Sequence, residues 1–322
     1  MFKRLIIISV AAVAIAAAIG AMLLSGSQED TVAARPDIPF APLTDPTIKD
    51  PDNPIRIIRV DFAKVEHDHP LTRPDLMKLT PANLRTLNQE EIDQIYGRLS
   101  AGPIPDGPYL GDLFLSRGGA GGDSGDVMPR LQEVLGGIEG RLAGKQVELL
   151  EKVGRALWKG KMFYRDQRLL RNFIDDFEPM RDIVDDPESL MKATVPREGW
   201  MKWFAPNTEV WLLFPAKLYC GQSLLDGRRE SVIIDYAYTD EIEGYRASPD
   251  SLAGRGGLRI RDEIRMVRPG FYLGRAYAHG VFLLNFTLYN AAVAEAGGVS
   301  FAGGEGIAED CWIGEQIRAE SP

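Results

Sequence analysis

The chain of 322 residues has 37 Lys and Arg against 46 Asp and Glu, which gives a formal net charge of −9 at pH 7. Hydrophobic residues make up 45% and charged residues 26%, which excludes a largely disordered chain, a collagen-like chain and a membrane protein with many spans. The acidic balance argues against nucleic acid as a partner, because phosphate contacts need a basic face. With only 2 Cys and 3 His, we expect no zinc centre and no other cofactor.

The first predicted element is a membrane-spanning helix at residues 5–24, a run without a charged side chain. A helix of about 20 residues spans about 30 Å, the thickness of the hydrocarbon core of a bilayer. Lys3 and Arg4 precede the run and acidic residues follow it, so we expect the short N-terminus inside and the body outside. At residues 1–24 we favour a retained single-pass signal anchor rather than a cleaved signal peptide, because the uncharged run is longer than the apolar core of a signal peptide. Both alternatives place the body in the periplasm or another extracytoplasmic space.

A Pro-rich linker is predicted at residues 25–55, because proline removes backbone donors and excludes a regular helix or a central strand. Residues 56–290 are predicted as one α+β globular domain, with a helical part at 80–193 and a β part at 200–290. Residues 291–322 are rich in Gly, Ala and acids and are predicted as a loosely ordered tail.

The helical part opens with Thr80 and Pro81, an N-cap residue followed by proline at the first helical position. Apolar residues then recur at helical spacings, which predicts an amphipathic helix over 81–99. The other elements predicted before the β part are strands at 56–62 and 109–115 and helical regions at 127–157 and, in part, 166–193.

Closely spaced strands make up the β part. The strand candidates are 210–214, 216–220, 231–238, 257–267, 270–277 and 281–289. Pro269-Gly270 and His279-Gly280 are hairpin turn signals between them. Such strands predict an antiparallel meander, which closes into a barrel or packs against helices. The predicted fold class is therefore α+β, with N-terminal helices on a C-terminal β meander or barrel and one N-terminal transmembrane helix.

Charged residues within these strands are the candidates for chemistry. Arg261, Glu263 and Arg265 share one face of their strand, which is either the polar interior of a barrel or an exterior salt-bridged face. Asp235 lies in an apolar strand and needs a partner if it is buried, and Asp226 lies at a predicted hairpin tip. Asp235, Glu263 and Asp226 are the candidate general acids or bases, with Arg261 or Arg265 to hold an anion.

Aromatic residues are frequent in the β part, where they form either ordinary core packing or the lining of a site for an apolar ligand. The candidate ligand-binding residues are Tyr219, Tyr236, Arg261, Arg265, Tyr272 and Tyr277. An exported protein also permits a disulfide between Cys220 and Cys311.

Three short motifs are weaker signals. His67 and His69 would share a face and hold a metal if their segment were a strand, but a solvated polar turn is the favoured interpretation. Residues 122–125 match the start of the serine-protease motif Gly-Asp-Ser-Gly-Gly without its last Gly, and 140–146 fall short of a P-loop. We interpret residues 117–125 as a Gly-rich loop and expect neither protease nor nucleotide-binding function.

The segment from Trp158 to Phe163, followed by a meander, resembles the opening of lipocalin-like (calycin) barrels. Those barrels begin with Gly-x-Trp and carry a late Arg that packs on the Trp. Here Ala156 stands at the Gly position and Arg275 is the candidate for the late Arg. The resemblance covers residues 156–290 and implies a barrel that binds an apolar small ligand, usually without chemistry.

The sequence therefore predicts a membrane-anchored extracytoplasmic protein that binds an apolar or lipid-like small ligand. Whether it is an enzyme stays open, and non-catalytic binding is preferred. One alternative is an envelope enzyme acting on an apolar substrate by acid/base catalysis. The other is a structural partner in an envelope complex, which would use the helices at 81–99 and 127–157 to contact a protein partner.

Overall fold

The computed structural model describes residues 33–44, 49–50, 53–57, 60–116, 158–178, 181, 184, 186–197 and 205–314. The predicted signal anchor, the helical region at 127–157 and the motifs at 122–125 and 140–146 lie outside these residues. Among the residues that are described, no helix is both long and apolar enough to cross a bilayer.

A small antiparallel pair and a set of short helices precede the barrel. The pair is β1 (Lys49–Asp50) with β2 (Asn53–Ile57), and the helices are α1 (Phe62–Asp68), α2 (Arg73–Lys78), α3 (Pro81–Leu84) and α4 (Gln89–Arg98). The strand predicted at 56–62 is therefore wrong at its C-terminal end. There Asp61 acts as an N-cap, since its carboxylate accepts hydrogen bonds from the backbone N–H groups of Ala63 and Lys64.

The amphipathic helix predicted over 81–99 is two helices. Its start is confirmed, because the Thr80 hydroxyl accepts a hydrogen bond from the Asn83 N–H and Pro81 takes the first position. The helix ends at Leu84, and Asn88 begins α4 with a capping box in which its side chain accepts from the Glu91 N–H. The cap residue Asn88, which lies inside the apolar repeat, therefore divides the predicted helix into α3 and α4.

Eight antiparallel strands form a closed barrel. The strands are β3 (Gly107–Phe114), β4 (Gly160–Tyr164), β5 (Leu169–Ile174), β7 (Asn207–Gln222), β8 (Glu230–Asp235), β9 (Ile260–Arg268), β10 (Phe271–Ala278) and β11 (Val281–Tyr289). Each pairs with the next, and β11 pairs with β3 to close the ring. This order is that of an up-and-down barrel, which is one of the two arrangements that the strand spacing left open. A further strand, β6 (Lys192–Pro196), pairs with the first part of β7.

The predicted hairpin turns join the last three strands. Gly270, between β9 and β10, has φ of 74°, while His279 and Gly280, between β10 and β11, have φ of 50° and 80°. Two successive residues with positive φ match the right-handed twist of a hairpin, which favours glycine in the second position. These turns fix the register in which Arg275 lies opposite Glu263 on one side and Asn285 on the other.

The helical character predicted for residues 166–193 is wrong over most of that range. A short 3₁₀ turn at Arg165–Gln167 leads into β5, and a second at Pro187–Ser189 precedes β6. The strand candidates at 210–214 and 216–220 are parts of β7, which continues through Pro215. Phe214 has φ of 49° and the pairing with β5 shifts register there, so a bulge accommodates the proline.

One end of the barrel is filled by side chains. The rings of Tyr109 and Phe163 meet edge to face at 5.5 Å, and Tyr272 packs on Tyr109 at 5.7 Å. The segment after α4 crosses this end, where the Tyr272 hydroxyl donates to the Pro103 carbonyl oxygen at 2.6 Å. The core of this end is therefore solid.

The helices cover the outer face of β9, β10 and β11. Buried apolar side chains of α4, Ile92 and Ile95 among them, belong to the same cluster as Val267, Phe271 and Leu273 of the strands. The tail predicted from residue 291 instead begins with helix α6 (Ala291–Ala302), and a disulfide between Cys220 and Cys311 ties the following segment to β7. The barrel is thus wrapped on one side by helices and held by the C-terminal segment.

Candidate functional site

The barrel contains a cavity of about 200 Å³ that opens to the surface at the end opposite the filled one. The apolar lining residues that the structure describes are Leu113, Trp158, Phe214, Leu252, Ala253, Leu258, Ile260, Ala276, Leu283, Leu284 and Phe286. Among the described residues, its polar lining consists of Lys161, Asn172, Tyr236 and Asp262. A mostly apolar, concave space with a few converging polar groups is typical of a small-molecule site.

The polar lining residues form one hydrogen-bonded cluster around the Lys161 ammonium. Its Nζ atom donates to Asn172 Oδ1 at 2.9 Å, to the Tyr236 hydroxyl oxygen at 2.7 Å and to Asp262 Oδ2 at 2.9 Å. All four residues are buried, Lys161 being 2% exposed. Trp158 donates from its indole N–H to Asn172 Oδ1 at 2.8 Å and so belongs to the same network.

Aromatic rings surround the same ammonium. Lys161 Nζ lies 5.3 Å from the centre of the Trp158 ring and 5.4 Å from those of Tyr236 and Phe286. Each distance is within cation–π range, and the rings exclude water from the charge. Lys161 therefore has one carboxylate, two neutral oxygens and three rings as its surroundings.

Strand pairing brings the cluster together. Lys161 of β4 lies directly opposite Asn172 of β5, and Asp262 of β9 lies opposite Ile234 of β8, two residues before Tyr236. Alternation along each strand points these side chains into the barrel. The loop from β8 to β9, which includes α5 (Ala247–Asp250), contributes Leu252 and Leu258 to the cavity wall.

Burial and charge act in opposite directions on the ionisable groups of the cluster. Burial alone would lower the pKa of Lys161, but the Asp262 carboxylate and the Tyr236 hydroxyl outweigh it, and the pKa is raised. Burial raises the pKa of Tyr236 to about 12. At neutral pH the cluster therefore holds an ammonium, and its phenol is protonated.

Sequence reasoning found one member of this cluster, Tyr236, and missed the others. Asp262 carried a signal, because it occupies an even position in a strand whose even positions are otherwise apolar from Leu258 to Met266. Lys161 and Asn172 carried none, since each looks like an exposed polar residue until the barrel closes around it.

The other predicted ligand-binding residues lie away from the cavity. Tyr272 points into the barrel but belongs to its filled end, and Tyr219 is 41% exposed and donates to Asp235 Oδ2 at 2.8 Å. Arg261, Arg265 and Tyr277 stand at odd positions of β9 and β10, which face out of the barrel. The structure therefore brings Tyr236 alone of this predicted set into the cavity.

The face that includes Arg261, Glu263 and Arg265 points out of the barrel, and only Arg261 of the three is partly exposed. Glu263 and Arg265 are fully buried beneath the helical layer. The Arg265 guanidinium donates to Ser231 Oγ at 2.9 Å and to the Tyr96 carbonyl oxygen at 3.0 Å, and it lies 4.8 Å from the Tyr96 ring centre. The exterior alternative is therefore right in that the face points out of the barrel and Arg261 pairs with Glu263 at 3.3 Å, but the helices cover the inner part of this face instead of solvent.

None of the candidate acids lines the cavity. Asp226 pairs with Arg228 at 2.8 Å, and although burial alone would raise its pKa, the Arg228 and Arg265 charges lower it. Asp235 accepts from the Tyr219 hydroxyl and from the Ala237 N–H at 2.8 Å each. Glu263 accepts from the Leu224 N–H at 2.9 Å. These carboxylates hold together the turn between β7 and β8 and the strands near it.

The two candidate metal ligands lie on a helix and its cap, not on a strand. His67 is exposed in α1 and its Nδ1 atom lies 2.8 Å from Asp68 Oδ1, whereas His69 is the C-cap residue of that helix. Residues two apart on a helix do not face each other, so the shared face assumed for a strand is lost.

A second and larger space lies outside the barrel. This groove of about 720 Å³ runs between α1, α2, α6 and the C-terminal segment, and Glu66, Arg73, Arg98 and Glu309 line it together with apolar residues. Burial raises the pKa of Glu309 and lowers that of Arg98 to about 10. The charged lining residues already bond within the protein, as Glu309 does to Ser100 and to the Gly102 N–H.

The closed barrel agrees with the lipocalin-like resemblance, but the contact between the Trp and the late Arg that the resemblance implies is not formed. Trp158 packs inside the barrel against Phe286 at 5.8 Å, whereas Arg275 points outward and bonds to Asp93 and the Tyr277 hydroxyl. The sheet therefore separates the two residues that the resemblance expected in contact.

In comparisons with known proteins, no family model, no curated protein and no solved structure matches the chain.

Proposed function

We propose that the chain is an exported, membrane-anchored protein that binds a small apolar ligand inside its barrel without catalysis. The observation that carries this proposal is the open, largely apolar cavity of about 200 Å³. An apolar cavity of about 150 Å³ is large enough for benzene. A monocyclic molecule or the end of a short acyl chain is therefore the size of ligand that the cavity suits.

Two features support the extracytoplasmic placement. The uncharged run at 5–24 follows Lys3 and Arg4, which is the pattern of an anchor with its N-terminus inside. The Cys220–Cys311 disulfide is typical of an oxidising compartment, because cytosolic thiols are kept reduced.

The two alternative functions receive less support. An enzyme built on Asp235, Glu263 or Asp226 would need one of these carboxylates at the cavity, and all three lie outside it. A docking role for the helices at 81–99 would need a free apolar face, but Ile92, Ile95 and Leu99 are buried in one cluster with barrel residues. The helical region at 127–157, the other part of this alternative, lies outside the described residues.

Filling the cavity tests the proposal. Titration calorimetry with monocyclic hydrocarbons and ketones measures affinity for the wild type and for Ala276→Phe, which places a ring where Ala276 lines the cavity. We expect the wild type to bind and the variant to lose at least tenfold in affinity, because the new ring occupies the space. Val299→Phe, at a position 83% exposed on α6, is the matched control and should bind as the wild type does.

The result that would contradict this proposal is equally plain. If the wild type binds none of the compounds, or if Ala276→Phe binds them as well as Val299→Phe does, the barrel is not the ligand site. Native mass spectrometry of the detergent-extracted full chain tests the anchored form, where a copurifying small molecule supports the proposal and a stable partner chain without one opposes it.

A further inference from the structure

The hydrogen-bond donors of the buried cluster are not equally occupied. An ammonium has three N–H groups, and those of Lys161 are directed at Asn172, Tyr236 and Asp262 within 2.7–2.9 Å. The indole N–H of Trp158 is also engaged, at 2.8 Å. The side-chain amide of Asn172 donates to the Phe214 carbonyl oxygen at 3.1 Å and to the Tyr236 hydroxyl oxygen at 3.0 Å.

The hydroxyl hydrogen of Tyr236 is the exception. Its nearest acceptors are Asn172 Oδ1 and Asp262 Oδ2, both 3.4 Å away. Each of those oxygens already accepts at least one bond of 2.9 Å or shorter, and an O–H···O bond is normally 2.5–3.0 Å long. Among the donors of this cluster, the Tyr236 O–H is therefore the one held by no bond of ordinary length, and Tyr236 lines the cavity.

The charges of the cluster restrict which ligand groups can accept a hydrogen bond from the Tyr236 hydroxyl. Lys161 and Asp262 are a pair at 2.9 Å and cancel each other. A carboxylate entering the cavity would lose its hydration and meet Asp262, and an ammonium would lose its hydration and meet Lys161. The described lining residues offer no unpaired charge to compensate either. A neutral oxygen that accepts one hydrogen bond carries neither penalty.

We propose that the cavity selects small apolar molecules with one neutral carbonyl or ether oxygen, which accepts the hydroxyl hydrogen of Tyr236. This inference rests on the proposed function and adds the chemical class of its ligand. The high pKa of the phenol keeps the donor in place at neutral pH. The raised pKa of Lys161 keeps that amine protonated, so a bound ketone or aldehyde stays non-covalent.

A set of size-matched probes tests the selection. The probes are cyclohexanone, methylenecyclohexane, cyclohexanecarboxylate and cyclohexylammonium, each titrated calorimetrically into the full chain in detergent. We expect cyclohexanone to bind about tenfold more tightly than methylenecyclohexane, as one added hydrogen bond allows. The two charged probes should bind more weakly than the hydrocarbon.

Tyr236→Phe removes the donor and keeps the ring. We expect this variant to bind methylenecyclohexane within twofold of the wild type and to lose its preference for cyclohexanone. Tyr272→Phe is the matched control, because its hydroxyl is inside the barrel but bonds to Pro103 at the filled end. It should keep the preference.

The outcomes separate the two proposals. If all probes bind with similar affinity, if the carboxylate binds most tightly, or if Tyr236→Phe keeps the ketone preference, the selection by Tyr236 is wrong and the binding function stands. If no probe binds the wild type, both proposals fail. Should Tyr236→Phe not fold, the relative affinities of the wild type for the four probes alone decide whether the cavity selects a neutral oxygen.

Discussion

Two buried cations lie on opposite faces of the barrel sheet, one on β4 and one on β9. Lys161 points inward and is neutralised by Asp262, whereas Arg265 points outward and bonds mainly to carbonyl and hydroxyl oxygens. Removing an ion from water costs several kcal/mol. Each cation offsets this cost through at least three hydrogen bonds to acceptors of the protein. Lys161 differs in that it also lines an open cavity, and perturbed buried charges at cavities mark candidate functional sites.

Removing one partner of the Lys161–Asp262 pair should lower the free energy of unfolding far more than removing both partners does. We expect Asp262→Ala to lower the free energy of unfolding by about 3–5 kcal/mol, because it leaves an uncompensated ammonium among aromatic rings. The double variant Lys161→Met with Asp262→Leu should regain most of that loss. Urea unfolding followed by circular dichroism measures both values.

An exposed pair provides the control for this experiment. Lys192 and Glu209 are 2.9 Å apart on β6 and β7, and both side chains are more than a third exposed. Glu209→Ala should therefore lower the free energy of unfolding by less than about 1 kcal/mol. Equal losses for Asp262→Ala and Glu209→Ala would show that the interior pair is solvated and that our description of the cluster is wrong.

At the scale of the elements, local sequence patterns predicted the features that depend on residues close together in the chain. The alternation from Leu258 to Met266 predicted which side chains of β9 share a face, and the turn signals at 269–270 and 279–280 fixed two hairpins. The cap of α3 at Thr80 was equally readable. Each of these features depends on residues less than ten positions apart.

What alternation cannot tell is which face a barrel encloses, or what covers the other face. The row of charges at Arg261, Glu263 and Arg265 resembles a solvated face until α4 is placed on it. The short strand β5 has no clear alternation of its own and forms because β4 and β7 pair with its two edges. Tertiary pairing there overrides local propensity.

Glycine on β3 allows Trp158 to reach its place at the cavity. A Cβ atom at Gly111 would lie 2.1 Å from the Trp158 ring, well inside van der Waals contact. We therefore expect Gly111→Ala to displace the ring, to lower the free energy of unfolding by about 1–3 kcal/mol and to weaken ligand binding. Chemical denaturation and the calorimetric titration described above measure the two effects.

Gly256 is the matched control for this substitution. It lies in the loop before β9, and a Cβ atom there would meet nothing within 4 Å. Gly256→Ala should leave ligand affinity unchanged. If Gly111→Ala binds ligand as tightly as Gly256→Ala does, Trp158 does not shape the cavity.

At the scale of the whole molecule, closure joins parts of the chain that are distant in sequence. β3 at 107–114 pairs with β11 at 281–289, so the ring is completed by its first and last strands. Such non-local pairing leaves no signature within either strand, which is why the sequence left a meander and a barrel as alternatives. The same non-local pairing predicts slow folding compared with helical proteins of this size.

The C-terminal segment fastens this closed barrel through the disulfide, which joins residues 91 positions apart. We expect the double variant Cys220→Ala with Cys311→Ala to lose about 2–5 kcal/mol in free energy of unfolding, because its unfolded chain is less constrained. Reductant should lower the stability of the wild type by a similar amount and leave the variant unchanged. Neither cysteine lines the cavity, so ligand affinity should stay within twofold. A variant as stable as the oxidised wild type, or one that no longer binds ligand, would show that the C-terminal segment does not act as this separate fastening.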